Sequence, residues 1–334
     1  ISVVTNVILA PLLVVALGSG VITVAAGWIS ETLAADAGSV CHYSLQCMSV
    51  MIETAATVPG GHTWLPAPPG SWVVAFYAGL AFSLVWTSPL ARLIRCFGIA
   101  LWFLAAYQIA IRPAPLPDDT IEATFVDVGH GTSVVVRSGD DRVWLYDCGR
   151  LGNESGSSRY IDTTLWSLGV RQLDGIFLSH ADADHYNALP GLLRRFGVSQ
   201  VITPPGMLNE PESALRQVRR ALRAAAVPLR ERSAGETIPG FGPEITILHP
   251  PAVRLAGSDN ANSLVLRVDY GGRTLLLPGD LEPPGTATLT NQPRPPSGGV
   301  LMAPHHGSQN SSPDRFADWC TPEWIIISSG NRDS

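Results

Sequence analysis

The sequence contains no lysine, and its first third contains almost no charge of either sign. All 22 basic residues are arginines and 28 residues are acidic, which gives a net charge of −6. This acidic balance excludes a compact basic nucleic-acid-binding module, because such a module needs a surplus of cations for phosphate contacts. With 15% charged and 46% hydrophobic residues, the chain is also too apolar for a disordered or a fully soluble protein.

Charge divides the 334 residues into two parts of different character. Residues 1–112 contain three acids and three arginines, whereas residues 113–334 contain the other 25 acids and 19 arginines. We therefore expect a membrane segment over 1–112 and an acidic globular part after it. A proline-rich stretch at 113–121 separates them and predicts a stiff linker. Because the chain begins with isoleucine, we expect it to be a piece of a longer protein.

Three apolar runs in the first part predict about three transmembrane helices. Residues 3–29 run for 27 residues without a charge, more than the ~20 that cross a bilayer. Residues 72–86 and 90–111 form the other two runs, for which a pair of buried helices in a soluble core is the alternative. Arg92 and Arg95 favour a cytoplasmic loop by the positive-inside rule, which places 30–69 and the globular part outside.

The segment between the first two runs, 30–69, predicts a loop lying in the membrane surface. Its apolar residues recur at helical spacing over 43–57 and are followed by a proline- and glycine-rich turn at 58–61. Cys41 and Cys47 would pair if this loop faces an oxidising compartment, or they are two unrelated thiols.

The globular part consists of β-branched runs broken by turn residues. The predicted strands are 123–128, 133–137, 143–147, 175–179, 245–248, 263–268, 274–277 and 324–328, and the predicted helices are 158–167, 187–196 and 212–225. Strands arrive in pairs with helices between them, which predicts sheets with helices packed outside.

One short run carries most of the chemistry. Directly after a predicted strand comes Leu178-Ser-His-Ala-Asp-Ala-Asp-His-Tyr-Asn187, which contains four metal-ligand side chains within six residues: His180, Asp182, Asp184 and His185. A strand-to-helix turn can direct all four toward one point, as a two-metal site requires. The run predicts a metal site, with a solvated polar turn as the alternative.

Three more clusters contain candidate ligands, and the first two lie at the ends of predicted strands. They contain Asp147, then Asp280 in a Pro-Gly-Asp turn, then the pair His305 and His306 before Gly-Ser. Each alone is a weak signal, because Asp and Gly often only form turns and a lone histidine is more often structural. Together and in this order they are specific.

This set of residues resembles the metallo-β-lactamase superfamily over residues 122–334. More narrowly, four segments are similar to the extracytoplasmic domain of ComEC competence proteins: Asp127-Val-Gly-His-Gly-Thr, Asn260-Ala-Asn-Ser-Leu-Val-Leu, Pro278-Gly-Asp280 and His305-His306-Gly-Ser. The resemblance implies an αββα sandwich, of α/β class, preceded by transmembrane helices from the end of a membrane channel. ComEC proteins carry single-stranded DNA across the inner membrane during natural transformation, and this domain is thought to degrade the strand that is not imported.

The resemblance also implies two metal positions. The first would contain His180 and Asp182, with Asn260 or water as a third ligand. The second would contain Asp184, His185, Asp280 and one of His305 and His306. Asp182 stands where the superfamily usually has histidine, and its oxygen favours Mn²⁺ or Mg²⁺ over a thiolate-type zinc site. The expected cofactors are two divalent ions, Mn²⁺ or Zn²⁺ with Mg²⁺ as the alternative, and no small-molecule cofactor.

Roles for the site residues follow from this assignment. The candidate catalytic residues are Asp184, His306 and Asp147, the last as a carboxylate that orients a ligand imidazole or the loop backbone. Asp280 is the candidate bridge between the ions, and whichever of His305 and His306 is not a ligand would protonate the leaving oxygen. Candidate substrate contacts are Ser308, beside the amides around Gly307, and Arg216 and Arg220, which share a helical face with Arg219 and Arg223. A plain solvated face is the alternative for the arginines.

The chain departs from the ComEC pattern at two places. His130 and Thr132 stand where the consensus has Gln and Asp, so His130 is an extra ligand, a proton donor or a structural loop histidine. The chain also ends before a His-Pro segment that the family carries next, so we expect the domain to be truncated at its C-terminus.

The resemblance implies DNA, the membrane and other competence proteins as partners. It also implies a multi-pass protein of the inner (plasma) membrane with its globular domain on the extracytoplasmic side. Two alternatives stay open: a membrane-tethered metallo-hydrolase of another ester or amide, and a non-catalytic DNA-binding metal domain.

Overall fold

A computed structural model describes residues 2–58, 70–84, 88–110, 115–152, 154–209, 213–238 and 244–329. The predicted turn at 59–61 and positions 86, 111, 113–114, 212 and 330–334 lie outside these ranges. The chain divides into two units, residues 1–64 and residues 65–334. Each is described by itself.

The first unit contains two long helices, α1 (Ser2–Ala26) and α2 (Glu31–Thr57). They form an antiparallel hairpin, since a Cβ built on Gly20 would lie 3.5 Å from Sγ of Cys41 and one built on Gly38 would lie 3.5 Å from Thr23. The interfacial helix predicted from residue 43 therefore starts much earlier, at Glu31. The Ser30 hydroxyl caps that start by accepting a hydrogen bond from a backbone amide of the first turn.

The hairpin has its large apolar residues on the outside, unlike the helix pairs of soluble proteins. The face of α1 that packs on α2 includes the small residues Ala16, Ser19 and Ala26. The outward face has large apolar residues: Val7, Val14, Leu17, Val21 and Val24. Within the described residues, the stretch Thr5–Ala26 of α1 is the one helical segment long and apolar enough to cross a membrane.

Cys41 and Cys47 lie on α2 with both thiols free. Six residues of helix separate their Cα atoms by about 9 Å, beyond the ~7 Å that a disulfide spans. The two cysteines are therefore not partners for each other.

The second unit begins with two apolar helices, α3 (Gly70–Leu84) and α4 (Pro89–Ala110), at the positions of the second and third apolar runs. The rings of Trp72 and Trp102 pack together with their centroids 4.2 Å apart. The most apolar stretches of α3 and α4 are Gly70–Ala81 and Arg95–Ala105, and each is shorter than the length needed to cross a membrane.

Two six-stranded sheets follow. In spatial order, the first sheet contains β1 (Ile121–Phe125), β2 (Val134–Ser138), β3 (Val143–Tyr146), β5 (Gly175–Phe177), β7 (Val201–Thr203) and β8 (Leu229–Glu231). The second contains β9 (Thr237–Ile238), β10 (Glu244–His249), β11 (Val265–Tyr270), β12 (Arg273–Leu277), β13 (Gly299–Met302) and β14 (Trp324–Ile326). A small parallel pair joins β4 (Gln172–Leu173) to β6 (Gly197–Val198). The remaining helices are α5 (Glu154–Ser167), α6 (Ala183–Tyr186), α7 (Leu189–Arg195), α8 (Ser213–Ala224), α9 (Gly285–Thr290) and α10 (Pro313–Cys320).

The two sheets pack face to face, and the helices cover their outer faces. This is possible because the strands carry apolar residues on both faces of each sheet. Val134 and Val136 enter the core between the sheets, whereas Val135 packs beneath the outer helices. Helices α5, α7 and α8 cover the first sheet, and α9 and α10 cover the second. This arrangement confirms the predicted αββα sandwich.

Strand direction gathers the polar clusters at one edge of the sandwich. In the first sheet β3, β5, β7 and β8 are parallel, and in the second sheet β12, β13 and β14 are parallel. The Tyr146 hydroxyl at the end of β3 donates a 2.7 Å hydrogen bond to the carbonyl oxygen of Leu264, which joins the two sheets there. The loops after β1, β3, β5, β12 and β13 all leave at this edge, where ligands of open α/β sheets usually bind.

Candidate metal centre

Asp147 organises the first-sheet side of the site. It follows β3 directly, is fully buried, and has a left-handed backbone with φ of 54°. Its Oδ1 accepts a 2.7 Å hydrogen bond from the Ser179 amide, and its Oδ2 accepts one of 2.7 Å from the Ser179 hydroxyl. The same Oδ2 lies 2.8 Å from Nδ1 of His185, which turns the other ring nitrogen of His185 toward the site. This is the position that its predicted orienting role requires.

The ligand-rich loop is held by backbone contacts with the strand beside it. The amide of Cys148 donates to the carbonyl oxygen of His185 at 2.8 Å. A Cβ on Gly149 would lie 2.0 Å from the carbonyl carbon of Asp184, so no larger residue fits there. Cys148 is fully buried, as expected of a core residue.

A first group of ligand atoms comes from His180, His185 and Asp280. These atoms all lie within 4.8 Å of one another, and all three side chains are buried. Oδ1 of Asp280 lies 3.3 Å from Nε2 of His185. Burial would lower the pKa of His185, but the charges of Asp280 and Asp147 outweigh it and raise that pKa well above its ordinary value. Burial would raise the pKa of Asp280, but the charge and the hydrogen bond of His185 outweigh it and hold that pKa far below the ordinary value of an aspartate.

A second group contains His130, Asp184 and His306, again within 4.8 Å of one another. Oδ2 of Asp184 lies 3.6 Å from Nε2 of His130 and 3.6 Å from Nε2 of His306. Burial raises the pKa of Asp184, but its interaction with His306 and the charge of His185 lower it to about 2. The carbonyl oxygen of Ser328 lies 2.9 Å from Nδ1 of His306, which leaves Nε2 facing the group.

Asp280 lies between the two groups. Its Oδ1 faces His185 of the first group, and its Oδ2 is 3.6 Å from Nε2 of His306 in the second. One carboxylate oxygen therefore points at each group, which is the arrangement that the predicted bridging role requires.

The two neighbouring histidines have different surroundings, although both have left-handed backbones. His306 belongs to the second group. His305 instead places Nδ1 2.7 Å from Oε1 of Glu282 and Nε2 3.8 Å from Oδ2 of Asp280. Sequence reasoning did not single out Glu282, although its place two residues after Asp280 was a usable signal. Ser308 lies in neither group, and its Oγ accepts a hydrogen bond from the Asn310 amide at 3.3 Å.

The grouping of ligands differs from the expected one. His185 joins His180 rather than Asp184, because Asp147 turns its ring toward the first group. Asp182 belongs to neither group, and its half-exposed carboxylate lies 3.3 Å from Nε2 of His180. Asn260, the expected third ligand of the first position, lies in a 3₁₀ turn over Asn260–Asn262. His130, for which a structural role remained open, enters the second group.

The donor atoms fit divalent metal ions. Nε2 of His180, His185 and His306 is buried in each case, and within the described part of the chain none of the three forms a well-aligned hydrogen bond, although carboxylate oxygens lie 3.3 to 3.6 Å away. Buried imidazole nitrogens without a partner are costly, and neutral imidazoles beside carboxylates are common metal ligands. Each group offers two imidazoles and one carboxylate.

The arginines predicted to contact DNA lie on α8. Its buried face contains Leu215, Val218 and Leu222, and its exposed face contains Arg216, Arg220 and Arg223. Arg219 differs, since its guanidinium donates to the carbonyl oxygen of Leu208. Because α8 follows β7, it starts at the edge that carries the metal-ligand groups, and Arg223 lies about 10 Å further along the helix than Arg216.

Comparisons with known proteins identify the family. Residues 126–316 match the family model of the metallo-β-lactamase superfamily. The chain is 28% identical over 231 residues to ComE operon protein 3 of Bacillus subtilis, a match that covers 64% of this chain and 29% of that protein. It is 30% identical over 243 residues to competence protein ComA of Neisseria gonorrhoeae, covering 71% of this chain and 31% of that one.

The chain thus spans less than a third of the length of these relatives. Among solved structures, zinc-bound PqqB from Methylobacterium extorquens aligns with a TM-score of 0.33 and 16% identity over 52% of this chain and 59% of that one. The family match and the competence-protein relatives confirm the resemblance stated from the motifs. The chain belongs to the metallo-β-lactamase superfamily and, within it, is similar to the ComEC-type competence proteins.

Proposed function

We propose that this chain is a metal-dependent phosphodiester hydrolase whose substrate is DNA. The observation that carries the proposal is the position of Asp280. It belongs to the first group, where one of its carboxylate oxygens faces His185, and its other oxygen faces His306 of the second group. Adjacent metal positions joined by a carboxylate are the usual arrangement in two-metal phosphodiesterases.

The chain's own residues would orient the site and move a proton. When bound, two divalent cations would supply the positive charge that stabilises a phosphodiester's transition state. Asp147 and Ser328 fix the rings of His185 and His306 through Nδ1, which leaves Nε2 of each ring available to hold an ion. His305, with Nδ1 on Glu282 and 28% of its side chain exposed, is the residue we assign to protonate the leaving oxygen from Nε2. Ser308 and the backbone at Gly307 would contact a phosphate oxygen.

DNA is the favoured substrate because the relatives are named as competence proteins. The exposed face of α8 supports this choice, since Arg216 and Arg220 add local positive charge to an acidic chain. In the whole protein we propose that this domain degrades the strand that is not imported during natural transformation, together with other competence proteins.

We further propose a multi-pass inner-membrane protein with the metal centre on the extracytoplasmic side. The spanning stretch of α1 and its outward apolar residues support a place in lipid, since large apolar side chains facing outward are costly in water. The small residues packed between α1 and α2 favour close helix pairing in a bilayer.

The decisive experiment uses the full chain in detergent micelles, loaded with Mn²⁺ or Zn²⁺ and given labelled single- and double-stranded DNA. We expect cleavage by the parent protein, loss of cleavage in Asp184→Ala, and no loss in the control Asp318→Asn, whose carboxylate is exposed on α10. Tight DNA binding without cleavage would instead indicate a binding domain. Turnover of a lactam or thioester without any effect on DNA would indicate a different hydrolase.

A further inference from the structure

We propose that His130 is a metal ligand of this chain, completing the second position with Asp184 and His306. The inference deepens the proposed function and rests on its metal dependence. The two positions would then have equal composition, each with two imidazoles and one carboxylate. At the place of His130 the ComEC pattern has glutamine, so the extra imidazole is a property of this chain's own sequence.

The geometry of the ring supports coordination. Nε2 of His130 lies 3.6 Å from Oδ2 of Asp184, and its ring centroid is 4.9 Å from that of His306. Both partners are largely buried, and among the residues that the structure describes Nε2 of His306 forms no well-aligned hydrogen bond. Nε2 of His130 would be the third ligand atom of this group, beside the carboxylate of Asp184 and the buried imidazole of His306, and a cation held by all three would satisfy that imidazole.

The backbone holds the loop at this place. The carbonyl oxygen of His130 accepts a 2.7 Å hydrogen bond from the Leu151 amide, and the Thr132 amide donates one of 3.2 Å to the carbonyl oxygen of Asp184. A Cβ on Gly131 would lie 2.7 Å from the carbonyl oxygen of Asp184, and its φ is 139°. Glycine is therefore needed beside His130 to let this loop approach Asp184 so closely.

Ser328 joins the two imidazoles of the group. Its carbonyl oxygen fixes His306, and its hydroxyl donates a 2.7 Å hydrogen bond to the carbonyl oxygen of Gly131, the residue after His130. One residue just after β14 thus contacts both the His306 ring and the backbone of the loop that carries His130, and it holds these two parts of the group side by side.

The added nitrogen changes the expected metal preference. Sequence reasoning gave an oxygen-rich set that favours Mn²⁺ or Mg²⁺. With His130 included, the two groups offer four imidazoles and two carboxylates, and imidazole ligands favour Zn²⁺ and Co²⁺ over Mg²⁺. The second position is then selective for a transition-metal ion.

The test uses the full chain in detergent with Co²⁺ as the probe, followed by equilibrium dialysis, metal analysis and visible absorption. We expect two bound Co²⁺ per chain, with His130→Gln weakening one of them at least about tenfold. His306→Gln should weaken the same ion, and His180→Gln the other. His42→Gln, an exposed histidine of α2, is the matched control and should leave both ions in place.

A second variant gives a positive signal. In His130→Cys a thiolate would enter the coordination shell, and Co²⁺ should then show a strong sulfur charge-transfer band that the parent protein lacks. If His130→Gln keeps both ions at parent affinity and His130→Cys shows no such band, the inference is wrong while the metal centre stands. If the parent protein binds no Co²⁺ at all, the proposed function fails with it.

Discussion

Oδ2 of Asp147 lies 2.8 Å from Nδ1 of His185, and both side chains are fully buried. The same oxygen accepts the Ser179 hydroxyl, so this carboxylate determines how the His185 ring is turned. A buried carboxylate that bonds one nitrogen of an imidazole fixes the orientation of the ring. It also makes the other nitrogen more basic, and therefore a stronger metal ligand. Much of the metal affinity of the first group is therefore expected to depend on a residue that contacts no ion.

Asp147→Asn should lower the affinity of the first ion about 10- to 100-fold and leave the fold intact. Asparagine accepts the left-handed backbone found at this position, with φ of 54°, so the change removes charge without adding strain. Titration with Zn²⁺ in a competing chelator measures the effect. Parent affinity in this variant would show that Asp147 does not orient His185.

Ser328→Ala should weaken the second ion by several-fold and leave the first unchanged. The carbonyl bond to His306 remains, but the hydroxyl bond to Gly131 is lost, and the loop bearing His130 loses one of its anchors. The two ions can be followed separately in the Co²⁺ absorption spectrum. Ser199→Ala, an exposed serine away from the site, serves as the control.

Gly149→Ala should destabilise the domain by about 3 kcal/mol or more and abolish metal binding. The new methyl group would meet the backbone of Asp184 at 2.0 Å, and that backbone also carries two ligand side chains. Gly197→Ala is a matched control, because its nearest contact would be an ordinary 3.5 Å from a flexible side chain. Thermal unfolding of both variants in detergent measures the difference, and equal melting temperatures would contradict the prediction.

His249 should make the domain lose stability in mild acid. It is fully buried with Nδ1 3.0 Å from the carbonyl oxygen of Ser263, and burial lowers its pKa to about 4 although that carbonyl opposes the shift. The unfolded chain binds the proton more readily, near its ordinary pKa of about 6.5. The contribution of neutral His249 to the free energy of unfolding is therefore fully present above pH about 6.5. It falls by about 3 kcal/mol as the pH drops to about 4.

The change His249→Asn tests this pH dependence, because asparagine still donates a hydrogen bond but does not titrate. We expect the free energy of unfolding, measured with denaturant at several pH values from 4 to 7, to depend less on pH in the variant than in the parent protein. Identical slopes would mean that another group causes the acid sensitivity.

Arg216→Ala and Arg220→Ala should each weaken DNA binding several-fold at low salt and reduce the salt dependence of binding by about one ion. Arg223→Ala should have a smaller effect, because Arg223 lies toward the end of α8 away from the metal-ligand edge. Fluorescence anisotropy with labelled single-stranded DNA at several salt concentrations measures all three. Equal effects at the three positions would indicate a plain solvated face.

The sandwich was predictable because its strands alternate so regularly. Val134, Val135 and Val136 divide strictly between inner and outer cores, and turn residues bound each strand. The sequence did not predict the short strands β4, β6, β7, β8, β9 and β13, since two to four residues do not distinguish a strand from a helix or a loop. In the first unit, the alanine-rich start of α2 carried too little apolar pattern to reveal a helix before residue 43.

The candidate ligand residues follow from the motifs, but which of them lie together in the structure does not. Motifs identify His180, Asp184, His185, Asp280 and His306, because few other patterns place so many ligand side chains at strand ends. Which of them share an ion depends on ring orientations fixed by Asp147 and by the carbonyl of Ser328. These contacts join residues that are 38 and 22 positions apart, and no spacing rule reports them.

His180 and His185 follow a strand of the first sheet, whereas Asp280 and His306 follow strands of the second. Ions held by these residues would cross-link the two halves of the sandwich at one edge, and neither half alone supplies a full set of ligands. Metal loading would thus require both sheets to be folded and in contact, and at a hundredfold excess over the dissociation constant each ion would add about 2.7 kcal/mol to the free energy of unfolding. Occupancy of the centre would then report that the two sheets have assembled, and a chelator should lower the stability of the whole sandwich by that amount.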